Sequence, residues 1–524
     1  MRATSLGHAG ILIETAHGSI VCDPWFVPAF FGSWFVFPRN DRLAPDLLAR
    51  VERPDFLYVS HLHGDHLDVA FLAEHVDRET TVLLPGFPTT ELERRLRALG
   101  FRHFLPTVDG EPVSAGGLEI AIHVETSITD GPGGDSALVV TDGESRLVNQ
   151  NDCRLNNLSA VTRHGSVDMQ WLQYSGAIWY PMVYDEPDDV KRELATAKVE
   201  SQFGRAIRYV EAVGARVVVP SAGPPCFLDP ELFGLNVITG DEISIFPDAT
   251  AFLDRLDKDD IDTGVLVIPG TTVEVTPDTV TVRHPQADDE VAAIFSDKAA
   301  YLRRYQRDWQ PWLDATKAAW PAPQPDLAGR LAGWWEPLLA MAPSLCAAID
   351  DACLIRSGDE AVLVDFSAGT VRPHAGEPYA FSFDLPRPLV EQVLADRAVD
   401  WSNSLFLSVR FRAWRAGEFN EYLYNFFKSL SPERMARAEA EAAAKHAARH
   451  QPAEEIELDG YVMERYCPHR RADLSVFGSV DDGVLTCAMH GWQFDLETGR
   501  CLTSDSHHLE CERVDEASTS AGSA

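Results

Sequence analysis

The chain has 524 residues, 45% of them hydrophobic and 24% charged, with a formal net charge of −35. That length exceeds what a single hydrophobic core serves, so two to four domains are expected. The acidic balance argues against a nucleic-acid partner, which takes clustered Lys and Arg, and no stretch reaches the roughly 20 apolar residues of a membrane helix.

The opening MRATSLGHAGILIE has one early Arg and a short apolar run but no signal-peptide cleavage pattern, so a cytoplasmic protein is expected. In chain order, ILIETAHGSIVCDPW predicts a hairpin turning at Gly18, FLYVS a short buried strand, and LERRLRALG a helix capped by Gly100. SALVVTDGESRLVNQND predicts a second hairpin turning at Asp142-Gly143, and ARVVVPSAG a further strand. Over residues 1–230 this is the rhythm of a layered α/β domain. Residues 231–330 read as its extension, with β-rich VLVIPGTTVEVTPDTVTVRH and then a Trp-studded helix. Residues 331–430 predict an α+β middle region ending in the amphipathic helix FNEYLYNFFKSL. Ala/Glu-rich residues 431–455, from Ser431 to beyond Pro452, predict an exposed linker helix. Residues 456–513 predict a small all-β domain, and 514–524 a disordered tail.

Nine cysteines are scattered without a disulfide framework, and Cys22, Cys153, Cys226, Cys346 and Cys353 read as small buried hydrophobes. Two clusters carry chemistry. SHLHGDHLD places His61, His63, Asp65 and His66 directly after a strand, and three imidazoles with a carboxylate on one turn need partners that a metal supplies. Near the other end stand Cys467-x-His469 and, after a gap of 17 residues, Cys487-x-x-His490. Interleaved in this way, each loop gives one ligand to each iron of a Rieske [2Fe–2S] centre, two thiolates on one iron and two imidazoles on the other. A structural zinc site is the alternative. Cys501, Cys511, His507 and His508 fall outside this complete ligand set.

CPHRRADL and CAMHGWQFDLETGRC resemble Rieske domains of the ferredoxin and oxygenase kind. HLHGDH, GHAGILIETAHGSIVCDPWF and NQNDCR resemble the metallo-β-lactamase fold over residues 1–230, in the subgroup that includes ascorbate-6-phosphate lactonase. That resemblance implies an αββα sandwich in which His61 and His63 bind one metal, Asp65 and His66 bind a second, and Asp152 bridges them. Two of the family's histidines are replaced: Asp130, Asp135 or His123 is a candidate for the first position, and Ser221 stands at the second. His61 and His63 with Asp152 or Asp130 then make the two-histidine, one-carboxylate set of non-haem Fe(II) oxygenases. His8 and His164 read as neighbours of the site or as ordinary hydrogen-bonded histidines.

The pairing of both modules resembles the CMP-N-acetylneuraminate hydroxylases, as do QYSGAIWYP and the segment from Phe383 to Leu430, although in that family the Rieske part comes first. The resemblance implies an iron- and O₂-dependent monooxygenase with catalytic His61, His63 and Asp152, one or two non-haem irons, and a [2Fe–2S] cluster. It would hydroxylate a C–H bond of an N-acyl, amino-sugar or sugar-nucleotide-like substrate, or oxidise an amine nitrogen. The electron donor would be external: an NAD(P)H-dependent reductase, a ferredoxin or a cytochrome b5-like protein. A homo-oligomer is left open. The main alternative is a zinc-dependent hydrolase or lactonase carrying a Rieske redox module. A diiron O₂ or NO reductase fits less well, because position 63 is His where that group has a Glu. DPWFVPAFFGSWFVFPRN, 23–40, reads equally as core and as a water-excluding lid. Arg205, Arg208, Arg410 and Arg412 are weighed as anion contacts or as structural residues.

Overall fold

In this computed structural model the chain is described except for residues 129–130, 132, 177, 240–241, 449–453, 505–506 and 515–524. The expectations placed on Asp130, on Pro452 and on the tail from 515 lie outside the described residues.

Strands that alternate between two apolar faces must be covered on both, and the N-terminal region meets this need with two stacked sheets. One contains β1 (Arg2–Gly7), β2 (Gly10–Thr15), β3 (Gly18–Cys22), β4 (Phe56–Tyr58), β5 (Thr81–Leu84) and β6 (His103–Pro106), and two late strands, Thr272–Val275 and Val280–Arg283, extend it beyond β1. The other contains β7 (Val113–Ala115), β8 (Leu118–Glu125), β9 (Asp135–Thr141), β10 (Arg146–Asn151), β11 (Met169–Gln173) and β12 (Val217–Ser221). Ile120 and Ile122 of β8, Leu138 and Val140 of β9, and Val217 and Val219 of β12 meet Ala3, Ile11, Ile13 and Tyr58 between the sheets. The intervening Ala121, Ala137, Val139 and Val218 point the other way, onto Phe203, Ala206 and Val210 of the long helix Asp188–Val213. Helices Pro45–Val51, Val69–Glu74 and Glu91–Ala98 cover the opposite outer face. This is the αββα sandwich that the sequence resemblance implied.

Strand direction gathers the site. β3, β4 and β5 are parallel, and β1 runs with β3 because each pairs antiparallel with β2. In the facing sheet β10, β11 and β12 are parallel. The loops that leave these C-terminal ends carry His8, Asp23, Ser60–Asp68 and Asp152, and β12 itself ends in Ser221, at one edge of the sandwich.

The middle region is a mixed sheet in the order Thr370–Pro373, Glu360–Asp365, Ala352–Ser357, Phe381–Asp384, Arg412–Arg415. The helix Glu421–Lys428 is buried along its whole length rather than on one face. Its Tyr424, Phe426 and Phe427 enter the core while Glu421 reaches the C-terminal domain. Pro432–Ala448 is likewise no exposed linker, since Met435, Ala438 and Ala442 are buried in the same core. In segment 23–40, Trp25, Phe30 and Trp34 are core and join the sandwich to Trp335 and Trp401 of the middle region. The segment also flanks the histidine loop, where a Cβ on Gly64 would lie 3.8 Å from Phe30.

The C-terminal domain has two three-stranded sheets, Glu455–Leu458, Tyr461–Glu464 and Cys511–Arg513, and Gly478–Asp481, Val484–Cys487 and Trp492–Asp495. Phe477, Met489 and Trp492 share an apolar cluster with Phe203 and Tyr209 of the long helix. Among the described residues no helix is long and apolar enough to cross a membrane.

Leu138 is fully buried between the sheets, so Leu138→Ala should cost about 2–5 kcal/mol. Denaturant unfolding of the sandwich, followed by tryptophan fluorescence, checks this.

Candidate metal centres

At the sandwich edge the histidine loop is held from below by Asp23. This carboxylate is fully buried and accepts from Ser60 N and Ser60 Oγ, each at 2.7 Å, and from Asn151 Nδ2 at 2.6 Å. It also lies 3.0 Å from His66 Nδ1, which turns the Nε2 of that ring outward. Two sets of donor atoms converge there, His8/Asp65/His66 and His61/His66/Asp152, each within 4.8 Å of one another. His8 Nε2 lies 3.1 Å from Asp65 Oδ2, and His66 Nε2 lies 3.6 Å from Asp152 Oδ2. His63 belongs to neither set, and its Nδ1 lies 2.7 Å from His61 Nε2. Of the stand-ins weighed from sequence, Asp135 reaches the cluster, with Oδ1 at 3.3 Å from His61 Nδ1. His123 instead bonds His164 at 3.0 Å beside Arg163, and both leave the cluster alone. Ser221 is at the edge as expected, and the next residue, Ala222, donates to the His8 carbonyl at 3.0 Å.

The atoms facing inward fit a cation. Asp65 Oδ1, His66 Nε2, Asp152 Oδ1 and Ser221 Oγ are buried with no hydrogen-bond partner among the described residues. Leaving such groups unmet costs about 1–3 kcal/mol each, and a bound metal removes that cost at the first three. Imidazole and carboxylate donors suit non-haem iron, and zinc is compatible. Burial works against charge on His66, yet Asp152, Asp65 and Asp23 outweigh it and push its pKa well above the ordinary value. Burial also opposes the Asp152 carboxylate, but His66 and His61 hold it down at about 2. Burial and the neighbouring His61 push His63 well below the usual range, so it is neutral.

In the C-terminal domain two tight loops face each other. Arg471 N donates to Cys467 O at 2.7 Å, and Gly491, at φ 74°, donates to Cys487 O at 2.8 Å. The loops bring the Cys467 and Cys487 thiols against each other, and their interaction lowers the Cys487 pKa and raises that of Cys467. The His469 and His490 rings stand perpendicular with centroids 4.9 Å apart. All four side chains predicted as ligands thus come together, and two thiols with two imidazoles are the donor set of a Rieske cluster. His469 stacks on Trp492 at 3.8 Å, and its Nε2 lies 3.1 Å from Glu421 of the middle region, a neighbour that no motif announced. The four arginines weighed as anion contacts are all tied within the fold. Arg205 and Arg208 donate to the carbonyls of Met489 and Val476, Arg410 pairs with Asp229, and Arg412 pairs with Asp185.

Residues 327–444 match the family model of the Rv3818-like, SCP2-like domain, and residues 449–511 match that of the Rieske [2Fe-2S] domain. A Rieske 2Fe-2S iron-sulfur protein of Mycolicibacterium smegmatis is 44% identical over 526 residues, spanning 98% of this chain and 100% of its own. The chain belongs to this Rieske iron–sulfur protein family. The cytidine monophosphate-N-acetylneuraminic acid hydroxylase of Sus scrofa is similar to the Rieske protein over 76 residues at 33% identity, 14% of this chain and 17% of its own. Among solved structures, CmlA, a diiron beta-hydroxylase from Streptomyces venezuelae, matches at TM-score 0.35 and 19% identity, covering 52% of this chain and 54% of its own.

Asp23 orients His66 and anchors the loop, so Asp23→Ala should weaken metal binding at the sandwich about 10–100-fold. A chelator-competition titration reads this. Because the raised pKa keeps metal-free His66 protonated at neutral pH, metal uptake should release a proton, and affinity should fall as pH falls. Titration in weak buffer at pH 7 should acidify the solution, and the same titration of His66→Gln should acidify it less, His61, whose pKa is also raised, remaining to be deprotonated.

Proposed function

We propose that this Rieske protein is an oxygenase in which the [2Fe–2S] cluster supplies electrons to iron held at the sandwich edge. One observation carries the reading. An electron-transfer domain is docked on the helix that backs the β10–β12 sheet, and the loop leaving β10 bears Asp152. A hydrolytic zinc has no use for electrons, whereas O₂ activation at iron requires them.

His8, Asp65, His66, His61 and Asp152 would hold the metal. Iron bound there would supply O₂ activation for hydroxylation of a C–H bond or oxidation of an amine nitrogen. Asp23 and Ser60 orient the ligating rings. His63, neutral and hydrogen-bonded to His61, is placed to take up or release a proton at Nε2, over which the loop at Gly131 lies: a Cβ there would be 4.0 Å away. Trp25, edge-on to His8 at 5.0 Å, and Phe30 beside Gly64 keep water from one side. The substrate class is an N-acylated or amino sugar or a sugar nucleotide, and an external NAD(P)H-dependent reductase, ferredoxin or cytochrome b5-like protein reloads the cluster.

Anaerobic purification with iron, zinc and acid-labile sulfide counted per chain tests this, repeated on Cys467→Ser. Iron beyond the two of the cluster, retained in the variant, is the expected result. Loss of all iron in the variant, with zinc remaining, would overturn the oxygenase in favour of a zinc hydrolase with a redox module.

A further inference from the structure

The two metal-binding regions meet on one side chain. Tyr209, buried on the long helix, has its hydroxyl 3.2 Å from Met489 Sδ and 3.2 Å from the Leu155 carbonyl oxygen. Met489 stands between Cys487 and His490, one ligand for each iron of the cluster. Leu155 lies three residues beyond Asp152. The intervening turn is pinned, with Cys153 N donating to Gln150 O at 3.0 Å and Gln150 Nε2 donating to Cys153 O at 3.1 Å.

The approach of the two domains is fixed on either side of this contact. Arg205 donates to Met489 O at 3.1 Å and Arg208 to Val476 O at 2.8 Å. A Cβ at Gly491 would come within 3.0 Å of Ser201 Oγ, so the Rieske loop touches the helix as closely as glycine permits. Cys153, Leu155, Tyr209, Cys467, Cys487 and Met489 all belong to one apolar cluster. A buried phenol usually finds one polar partner. This one stands between a thioether from the cluster loop and a carbonyl from the Asp152 loop.

We propose that Tyr209 is the link by which an electron passes from the Rieske cluster to the metal at Asp152. The path runs from the Cys487–His490 loop through Met489 Sδ, across the Tyr209 hydroxyl to the Leu155 carbonyl, and back along the chain to Asp152. The inference rests on the oxygenase reading given above. The reduced cluster gives up one electron and is oxidised, ferric iron at the sandwich takes that electron and becomes ferrous, and no bond is made or broken. Tyr209 keeps its O–H throughout, and burial pushes its pKa far up, which holds it in the phenol form. It is a positioning residue rather than a catalytic one.

The test uses the full-length holoprotein with ferric iron, or zinc as the redox-inert control, at the sandwich site. Flash photoreduction of the cluster is followed by its visible absorbance, without O₂ or substrate. The wild type should show a re-oxidation phase with iron that is absent with zinc. Tyr209→Phe keeps the ring and should slow that phase about tenfold or more, equivalent to about 1.4 kcal/mol of barrier, with the cluster's EPR signature and midpoint potential unchanged. Met489→Leu should behave in the same way and decides the matter if Tyr209→Phe fails to fold. An unchanged rate in these variants overturns the route alone. A slowed rate with an altered EPR signature or potential assigns a structural role and also overturns it. If iron- and zinc-loaded wild type decay identically, the oxygenase reading itself falls, and the route with it.

Discussion

Burying a carboxylate between two sheets is tolerable only when its lone pairs are met, and Asp23 is met from three directions. Ser60 comes from the end of β4, His66 from the loop beyond it, and Asn151 from β10 of the opposite sheet. One side chain therefore locks the two sheets together at the edge where the donors converge. It also commits His66 Nδ1, which leaves Nε2 for a metal. The surrounding backbone is correspondingly constrained: His8, Asp23 and Asn151 have φ values of 51°, 42° and 46°. These are left-handed conformations that non-glycine residues hold only where neighbours over-determine them.

The Rieske domain extends this rigidity. Its cluster loops are gripped from one side by the long helix of the sandwich and from the other by Glu421 of the middle region. A mobile head that shuttles between partners would not be fastened at both faces. For the oxygenase proposed above, such fastening would let electrons pass inward over a fixed separation.

Legibility in the sequence tracked how local each feature is. His61, His63, Asp65 and His66 stand out as candidate ligands because they crowd one turn, and Cys467, His469, Cys487 and His490 because their alternation suits two unlike irons. His8 and Asp23 come from different strands, and only the topology shows that the ends of β1, β3 and β4 share an edge with β10. Glu421 was hidden in the same way, since it meets His469 across 48 residues of chain. Asp65 and His66 stand together as the resemblance implied, joined by His8 from the end of β1, while His63 lies against His61 and His66 is shared by both donor sets. Pro432–Ala448 was misread because small alanines on a buried face have the same composition as a solvated linker. The SCP2-like character of the middle region has no chemical motif at all; it resides in apolar residues that any α+β core could use.

The contact between Arg205 and Met489 spans 284 residues of chain. At equilibrium this separation matters little, because closure entropy grows by only about 0.6 kcal/mol per doubling of loop length. During synthesis it matters more. The sandwich and the middle region precede the cluster domain in the chain and have cores of their own, and domains fold as they emerge. Cys467 and Cys487 therefore leave the ribosome when the helix that will receive them is already in place. The Asp188–Val213 face is thus made before the domain that covers it.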